Sequence, residues 1–327
     1  MAATDHIRGL HHITVCVGGA QEDIDFNTQV LGLRMIKQTV LFDGGESIYH
    51  LYYSNADAEP GSVWTTFPFQ QAGVTGKRGT GQIESTGFSV PTGSLDFWAG
   101  HLDAHGVEHG GVEERHGTRL VHFEHPSGLG IDLVETDGDD RRPWTTDEIG
   151  ADAGIRGFYN VTLAVREIEP MADFLTGVLR FSSEGADGAF HRFHINEGGG
   201  AGQTIDLHHL PDVPQGSWGF GIGIPHHVAL GTLNDEQNLE VKAYLEGAGY
   251  TDVSDLKDRN YFHSCYCRTP SGVLFEFATS DIGFATDEPE DQLGSTLLLP
   301  PWVEDRREEI VSPLEPIQVP AYMSAAA

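Results

Sequence analysis

Alternating apolar and polar residues mark the first segment, Leu10-His11-His12-Ile13-Thr14-Val15-Cys16-Val17, as a β-strand. The period then lengthens, and Gln21 to Leu31 reads as an amphipathic helix. Strand-like runs follow at Met35 to Leu41, Ile48 to Tyr53 and Ser62 to Phe67. This is one βαβββ unit. A second runs from Gly81 to Glu135, with a strand at Glu84 to Val90, a helix at Ser94 to His105, and strands ending at Ile131 to Val134.

After a polar stretch the plan repeats. Gly157 to Val165 is a strand, Pro170 to Val178 a helix, and Leu179-Arg180-Phe181 the helix exit. A fourth unit opens at Ile224 to Leu230, has a helix at Glu236 to Ala248 and closes at Gly272 to Ala278. The motifs repeat with it: HHITVCV and YNVTLAV start 148 residues apart (11 and 159), and HPSGLGIDLVE and TPSGVLFEFAT start 144 apart (125 and 269). LGLRMI (31–36) likewise matches VLRFSS (178–183). The predicted class is α+β, built from four βαβββ modules. Residues 1–140 hold the first pair, 141–153 a linker, 154–282 the second pair, and 283–327 a Pro-rich acidic tail. Within the tail, Trp302 to Ile310 is expected to form one short helix, in an arm packed on the body or on a partner subunit.

Composition adds one strong feature. Forty-nine acidic residues stand against 19 basic ones, a net charge of −30, and the acids are scattered rather than blocked. Such self-repulsion destabilises a compact state in dilute salt, so the chain reads as a halophile's cytoplasmic protein. The same charge argues against nucleic-acid or anionic-membrane partners. No apolar run is long enough to span a membrane. Cys16, Cys265 and Cys267 lack metal-type spacing and read as reduced, buried thiols. The abundant glycine, 41 residues, agrees with a β-rich, turn-rich fold.

The repeat also selects candidate chemistry from the 17 histidines. First-strand and last-strand positions of such modules point into a common cup. The first-strand set reads as His12, Thr86, Asn160 and His227, and the last-strand residues in register are Asp132 and Glu276. Only His12, His227 and Glu276 combine two imidazoles with a carboxylate. Two His and one carboxylate with open positions is the donor set of non-haem Fe(II) enzymes. Thr14 shares the His12 face and Ala229 the His227 face. Small Ala229 leaves room for a ligand. By the same alternation His11 and His226 point to the opposite face, unless a bulge intervenes.

LHHITVCVGGAQEDIDFNTQVLG, IYHLYY, TTFPF, IPHHVAL and DRNYFHSCYCRTPSGVLFEFAT together resemble the vicinal oxygen chelate superfamily. Within it they are similar to ring-cleaving dioxygenases acting on para-hydroquinones. GSLDFWAGHLDAHGV and the LPPW segment extend the likeness over nearly the whole chain. The resemblance implies two half-barrel cups, and His12, His227 and Glu276 as metal ligands, with Fe(II) or Mn(II) as the metal. It implies His226, Tyr266 and Arg259 as catalytic groups and His11 and Thr14 at the substrate. It further implies a small aromatic substrate and dioxygen as partners, and leaves a homo-oligomer open. Ligands drawn from modules one and four require those two modules to share a cup, leaving two and three to pair. Two other readings compete: metal-dependent isomerase or lyase chemistry of the glyoxalase kind, and a metal-free protein that sequesters a ligand in the same cup.

Overall fold

The computed structural model describes residues 2–41 and 47–320. Module one comprises β1 (Leu10–Val17), α1 (Ala20–Asp25) extended by a π turn (Phe26–Val30), β2 (Arg34–Val40), β3 (Tyr49–Ser54) and β4 (Val63–Pro68). Module two comprises β5 (Gln82–Pro91), α2 (Leu95–Ala104), β6 (His109–Arg115), β7 (Thr118–Glu124) and β8 (Gly130–Thr136). Module three has β9 (Gly157–Val165), α3 (Ile168–Asp173) with a π turn (Phe174–Val178), β10 (Ser182–Asp187), β11 (Phe190–His194) and β12 (Thr204–His209). Module four has β13 (Pro225–Thr232), α4 (Asp235–Gly247), β14 (Lys257–Asp258), β15 (His263–Arg268) and β16 (Leu274–Thr279).

The strands form two eight-stranded sheets, ordered β14-β15-β16-β13-β1-β4-β3-β2 and β10-β11-β12-β9-β5-β8-β7-β6. Modules one and four therefore share one sheet, and modules two and three the other, as the ligand origins require. In each module the helix carries the chain across, so the first strand lies parallel to the last. Paired modules meet antiparallel at their first strands, β1 with β13 and β5 with β9.

This central position explains the composition of the first strands. Every residue of β1 is buried, whereas all six of β10 are exposed. In β1, Ile13, Val15 and Val17 enter the large hydrophobic core, which also holds Trp64, Trp98 and Phe275. Cys16, two residues on from Thr14, packs instead with Ile48, Phe67 and Phe69. The three cysteines are buried and unpaired.

Residues 283–320 strap across the first module. The fully buried Lys37 ammonium reaches Asp287 at 2.7 Å and Glu288 at 2.6 Å, and the Ala20 amide donates to Glu315. The expected helix at Trp302 to Ile310 is a 3-10 turn (Glu304–Arg306) running into α5 (Arg307–Val311). The end of the expected arm, 321–327, lies outside the described residues. No described helix is long and apolar enough to cross a membrane.

Candidate metal centre

The β1/β13 register contains two irregularities. Leu10 faces Leu230 and His12 faces Ala229, so His11 is an extra residue on β1. Thr14 faces His227 and Val15 faces Pro225, so His226 is an extra residue on β13. Each is a β-bulge, which breaks simple alternation and re-aims a side chain. His11 and His226 therefore do not turn away from the ligands as alternation predicts. The Nδ1 of His11 lies 2.9 Å from the Nδ1 of His12, and that of His226 lies 2.7 Å from that of His227. The two bulges are related by the pseudo-twofold that exchanges the modules, with Ile13 and Val228 paired at its centre.

His12, Ala229, Glu276 and Tyr266 stand in one row across β1, β13, β16 and β15. Because Ala229 is small, the longer side chains on either side converge above it. His12 Nε2 comes within 3.4 Å of Glu276 Oε2, His227 Nε2 within 2.8 Å of the same oxygen, and the two Nε2 atoms lie 3.0 Å apart.

Hydrogen bonding fixes which nitrogen is bare. A carbonyl only accepts, so His11 Nε2–H donates to the Thr279 oxygen at 3.1 Å. Burial brings the His11 pKa down to about 3, so the ring is neutral and its Nδ1 carries a lone pair. His12 must then donate from Nδ1, which leaves Nε2 bare and aimed at Glu276. Burial likewise lowers the pKa of His227, and brings that of His226 to about 3. Such a second group holding the ligand imidazole is the usual support of a metal-binding histidine.

Glu276 provides the test of fit. It is fully buried, and neither carboxylate oxygen accepts a hydrogen bond. Burial pushes its pKa up, but the imidazoles of His227 and His12 overcome that and hold it well below the usual range. A buried carboxylate without donors is costly unless a positive charge meets it. Three ligand atoms within 4.8 Å of one another, from two imidazoles and an ionised carboxylate, suit a divalent metal.

Thr65 stands at the pseudo-symmetric place of Glu276, because Thr14 faces Thr65 on β4 as Ala229 faces Glu276 on β16. The site thus has one carboxylate where its symmetry would allow two. A hydrogen-bonded chain leads away from this position. Thr14 Oγ1 lies 2.8 Å from His227 Nε2 and 2.7 Å from Thr65 Oγ1, Thr65 lies 3.0 Å from His50 Nε2, and Tyr52 lies 2.9 Å from His50 Nδ1. Sequence reasoning passed over His50, Tyr52 and Thr65. The repeat could have found two of them: Tyr52 faces Thr65 as Tyr266 faces Glu276, and His50 then takes the place of Ser264.

A cavity of about 300 Å³ opens over the centre. Phe67, Phe220 and Phe262 supply apolar wall, and His226, Arg259 and Tyr266 supply polar groups. Phe220 stacks on His226 with ring centroids 4.4 Å apart. Arg259 Nε and Ser264 Oγ both donate to the Tyr266 oxygen, at 3.1 and 3.2 Å. Burial raises the Tyr266 pKa, so the phenol keeps its proton. His11 is buried behind His12 and does not line this cavity, and neither does Thr14.

The second cup corrects one sequence assignment. Its register places Ser85 opposite Thr162 and Gly87 opposite Asn160, with Glu84 and Tyr159 as the extra residues. The counterparts of His12 and His227 are therefore Asn160 and Ser85; Thr86 is one residue out of step, because the bulge adds a residue that motif matching does not see. Asp206 also joins Asp132 at the last-strand positions. Arg192 meets Asp206 through Nε at 2.8 Å, and His122 and Arg115 meet Asp132 at 2.7 and 3.5 Å. Side-chain cations neutralise this cup internally.

The sequence pattern of the Glyoxalase/Bleomycin resistance protein/Dioxygenase superfamily matches residues 9–133. The chlorohydroquinone/hydroquinone 1,2-dioxygenase of Sphingobium indicum is 39% identical over 313 residues, 95% of this chain and 97% of that protein. The chain belongs to this superfamily. A crystal structure of a "putative dioxygenase" from Bacillus subtilis superposes with a TM-score of 0.89 at 37% identity, covering 96% of this chain and 98% of that one. Maize glyoxalase I shares the fold alone, with a TM-score of 0.62 at 13% identity over 85% of this chain and 94% of its own. Superfamily membership accounts for the paired βαβββ cups.

Proposed function

We propose that this protein is a non-haem Fe(II) dioxygenase that opens the aromatic ring of a hydroquinone, with His12, His227 and Glu276 as iron ligands. The observation that carries the reading is the buried carboxylate of Glu276 with the Nε2 atoms of His12 and His227 converging on it, beneath an aromatic-walled cavity. The substrate class follows the name of the Sphingobium relative. Bound there, Fe(II) supplies a Lewis acid that favours a phenolate and an electron source for dioxygen.

The remaining work falls to the chain. The cavity is at the small end of the range for small-molecule sites, about 300–1,000 Å³, and its phenylalanines stack a single ring and exclude water. Tyr266, accepting from Arg259 and Ser264, offers its own proton inward and serves as an acid. His226, with Nδ1 committed to His227, carries its proton on Nε2 and donates to a substrate oxygen. Arg259 orients Tyr266 and offsets negative charge on the ring oxygens. His226 steadies His227 and His11 steadies His12, each through Nδ1, while Thr14 lies beside the Nε2 of His227. Thr65 in place of a second carboxylate argues against glyoxalase chemistry, and the orphaned Glu276 oxygens argue against a metal-free sequestering role.

The test is anaerobic loading with Fe(II), or with Mn(II) in parallel, followed by oxygen-uptake assays over substituted hydroquinones and catechols in molar salt. Uptake with hydroquinones that is lost together with one equivalent of bound metal in H12A, H227A and E276A is the expected result. Metal content and oxygen uptake in those variants equal to the wild type refute the site, and oxygen uptake confined to catechols refutes the substrate class.

A further inference from the structure

A second set of metal donors lies outside both cups. His101 on α2 and His105 just beyond its end are four residues apart, which puts them on one face of the helix. Their ring centroids are 4.5 Å apart. Glu148, from the connector between β8 and β9, reaches over them. Its Oε2 lies 3.0 Å from His105 Nε2 and 3.9 Å from His101 Nδ1. One ligand atom from each of the three residues falls within 4.8 Å of the others.

The surroundings orient these donors. His101 is buried, and its Nε2–H donates to the Val30 carbonyl at 3.0 Å. That leaves Nδ1 as the bare nitrogen, facing the carboxylate. That nitrogen and the Glu148 oxygen, which is also hydrogen-bonded to His105 Nε2, are acceptors 3.9 Å apart that a cation would draw together. Phe97 stacks against the His101 ring, centroids 5.6 Å apart, and holds its plane. The Glu148 backbone is also fixed: Thr146 Oγ1 accepts from the amides of Glu148 and Ile149, and the Ile149 side chain is buried against Gly32.

We propose that His101, His105 and Glu148 form a second metal site that takes a divalent d-block cation of the Zn(II), Co(II) or Ni(II) class. Two imidazoles and one carboxylate, completed by water, match the preferences of these ions. The carbonyl of Val30 is the outer partner that fixes the His101 tautomer. The ion would clasp the connector onto α2 and against the end of the module-one helix. It takes no part in chemistry at Glu276, and the inference stands whether or not the ring-cleavage reading holds.

The test uses the full chain, freed of metal and titrated with Zn(II) or Co(II) by calorimetry, with bound metal counted after gel filtration. The wild type is expected to take up two equivalents and H105A one. In H227A, where the cup site is disabled, one equivalent is expected to remain and to raise the melting temperature. H227A/H105A and H227A/E148Q should bind that ion about tenfold or more weakly and lose the thermal shift. Oxygen uptake by iron-loaded H105A should equal that of the wild type. The proposal is overturned if the wild type takes up one equivalent only, or if H105A and E148Q each bind as much metal as their parent protein with unchanged affinity.

Discussion

Replacing His11 with Phe separates two roles for this residue, substrate contact and support of a ligand. His11 packs edge-on against Phe262 with ring centroids 5.5 Å apart, an aromatic contact that Phe can also make. The change removes two buried hydrogen bonds, to His12 Nδ1 at 2.9 Å and to the Thr279 carbonyl at 3.1 Å. Each buried group left unpaired costs about 1–3 kcal/mol, so the fold should lose roughly 2–6 kcal/mol. The tautomer that bares His12 Nε2 is then no longer enforced. Loss of such an outer partner typically costs about 10–100-fold in metal affinity, or roughly 1.4–2.7 kcal/mol. H11Q, whose amide can both accept from His12 and donate to Thr279, should recover part of the loss. The assay is competition for Mn(II) or Co(II) against a chromophoric chelator, run beside steady-state oxygen uptake. Metal affinity equal to wild type with only KM for the aromatic substrate raised would refute the positioning role and restore direct substrate contact.

Three further outcomes follow from the rest of the molecule. Arg192→Met leaves the fully buried Asp206 without its guanidinium and should cost about 3–5 kcal/mol in urea unfolding. R192M/D206N should recover most of it, and equal stability of R192M and wild type would refute internal neutralisation of the second cup. Asp132 raises the His122 pKa in the fold through its hydrogen bond, so protonation favours the native state. That stability is present below the ordinary value of 6.5 and lost as pH rises through the raised one. H122N should accordingly lose more at pH 5.5 than at pH 8.5, and a pH-independent difference would contradict the pairing. Finally, we propose that the net charge of −30 adapts the chain to salt. Its unfolding midpoint should climb between about 0.1 and 2 M KCl as the screening length shrinks from about 10 Å toward 3 Å and below; full stability at low salt would refute that.

Much of the architecture was legible because it is repeated. Each module restates one hydrophobic plan, so the helix after the first strand and the closing strand could be placed within a few residues. The pairing of module one with module four followed from His12 and Glu276 being needed in one cup. The convergence of His12, His227 and Glu276 was legible because, among the four first strands, only those of modules one and four carry imidazole at the repeat-equivalent place.

The bulges belong to the tertiary structure alone. A one-residue excess exists only between two paired strands, so counting along β1 or β13 cannot reveal that His11 lies against His12 and His226 against His227. The same excess on β5 moved the equivalent position from Thr86 to Ser85, and pairing of β9 with β12 was needed to bring Asp206 into the second cup. His50, Tyr52 and Thr65 gained meaning only when three strands laid them end to end. Periodicity and residue type set which groups could act. Register between strands far apart in sequence decided which of them touch, because β-pairing free energy is shared over whole strands and each local slip is settled by the packing on both faces.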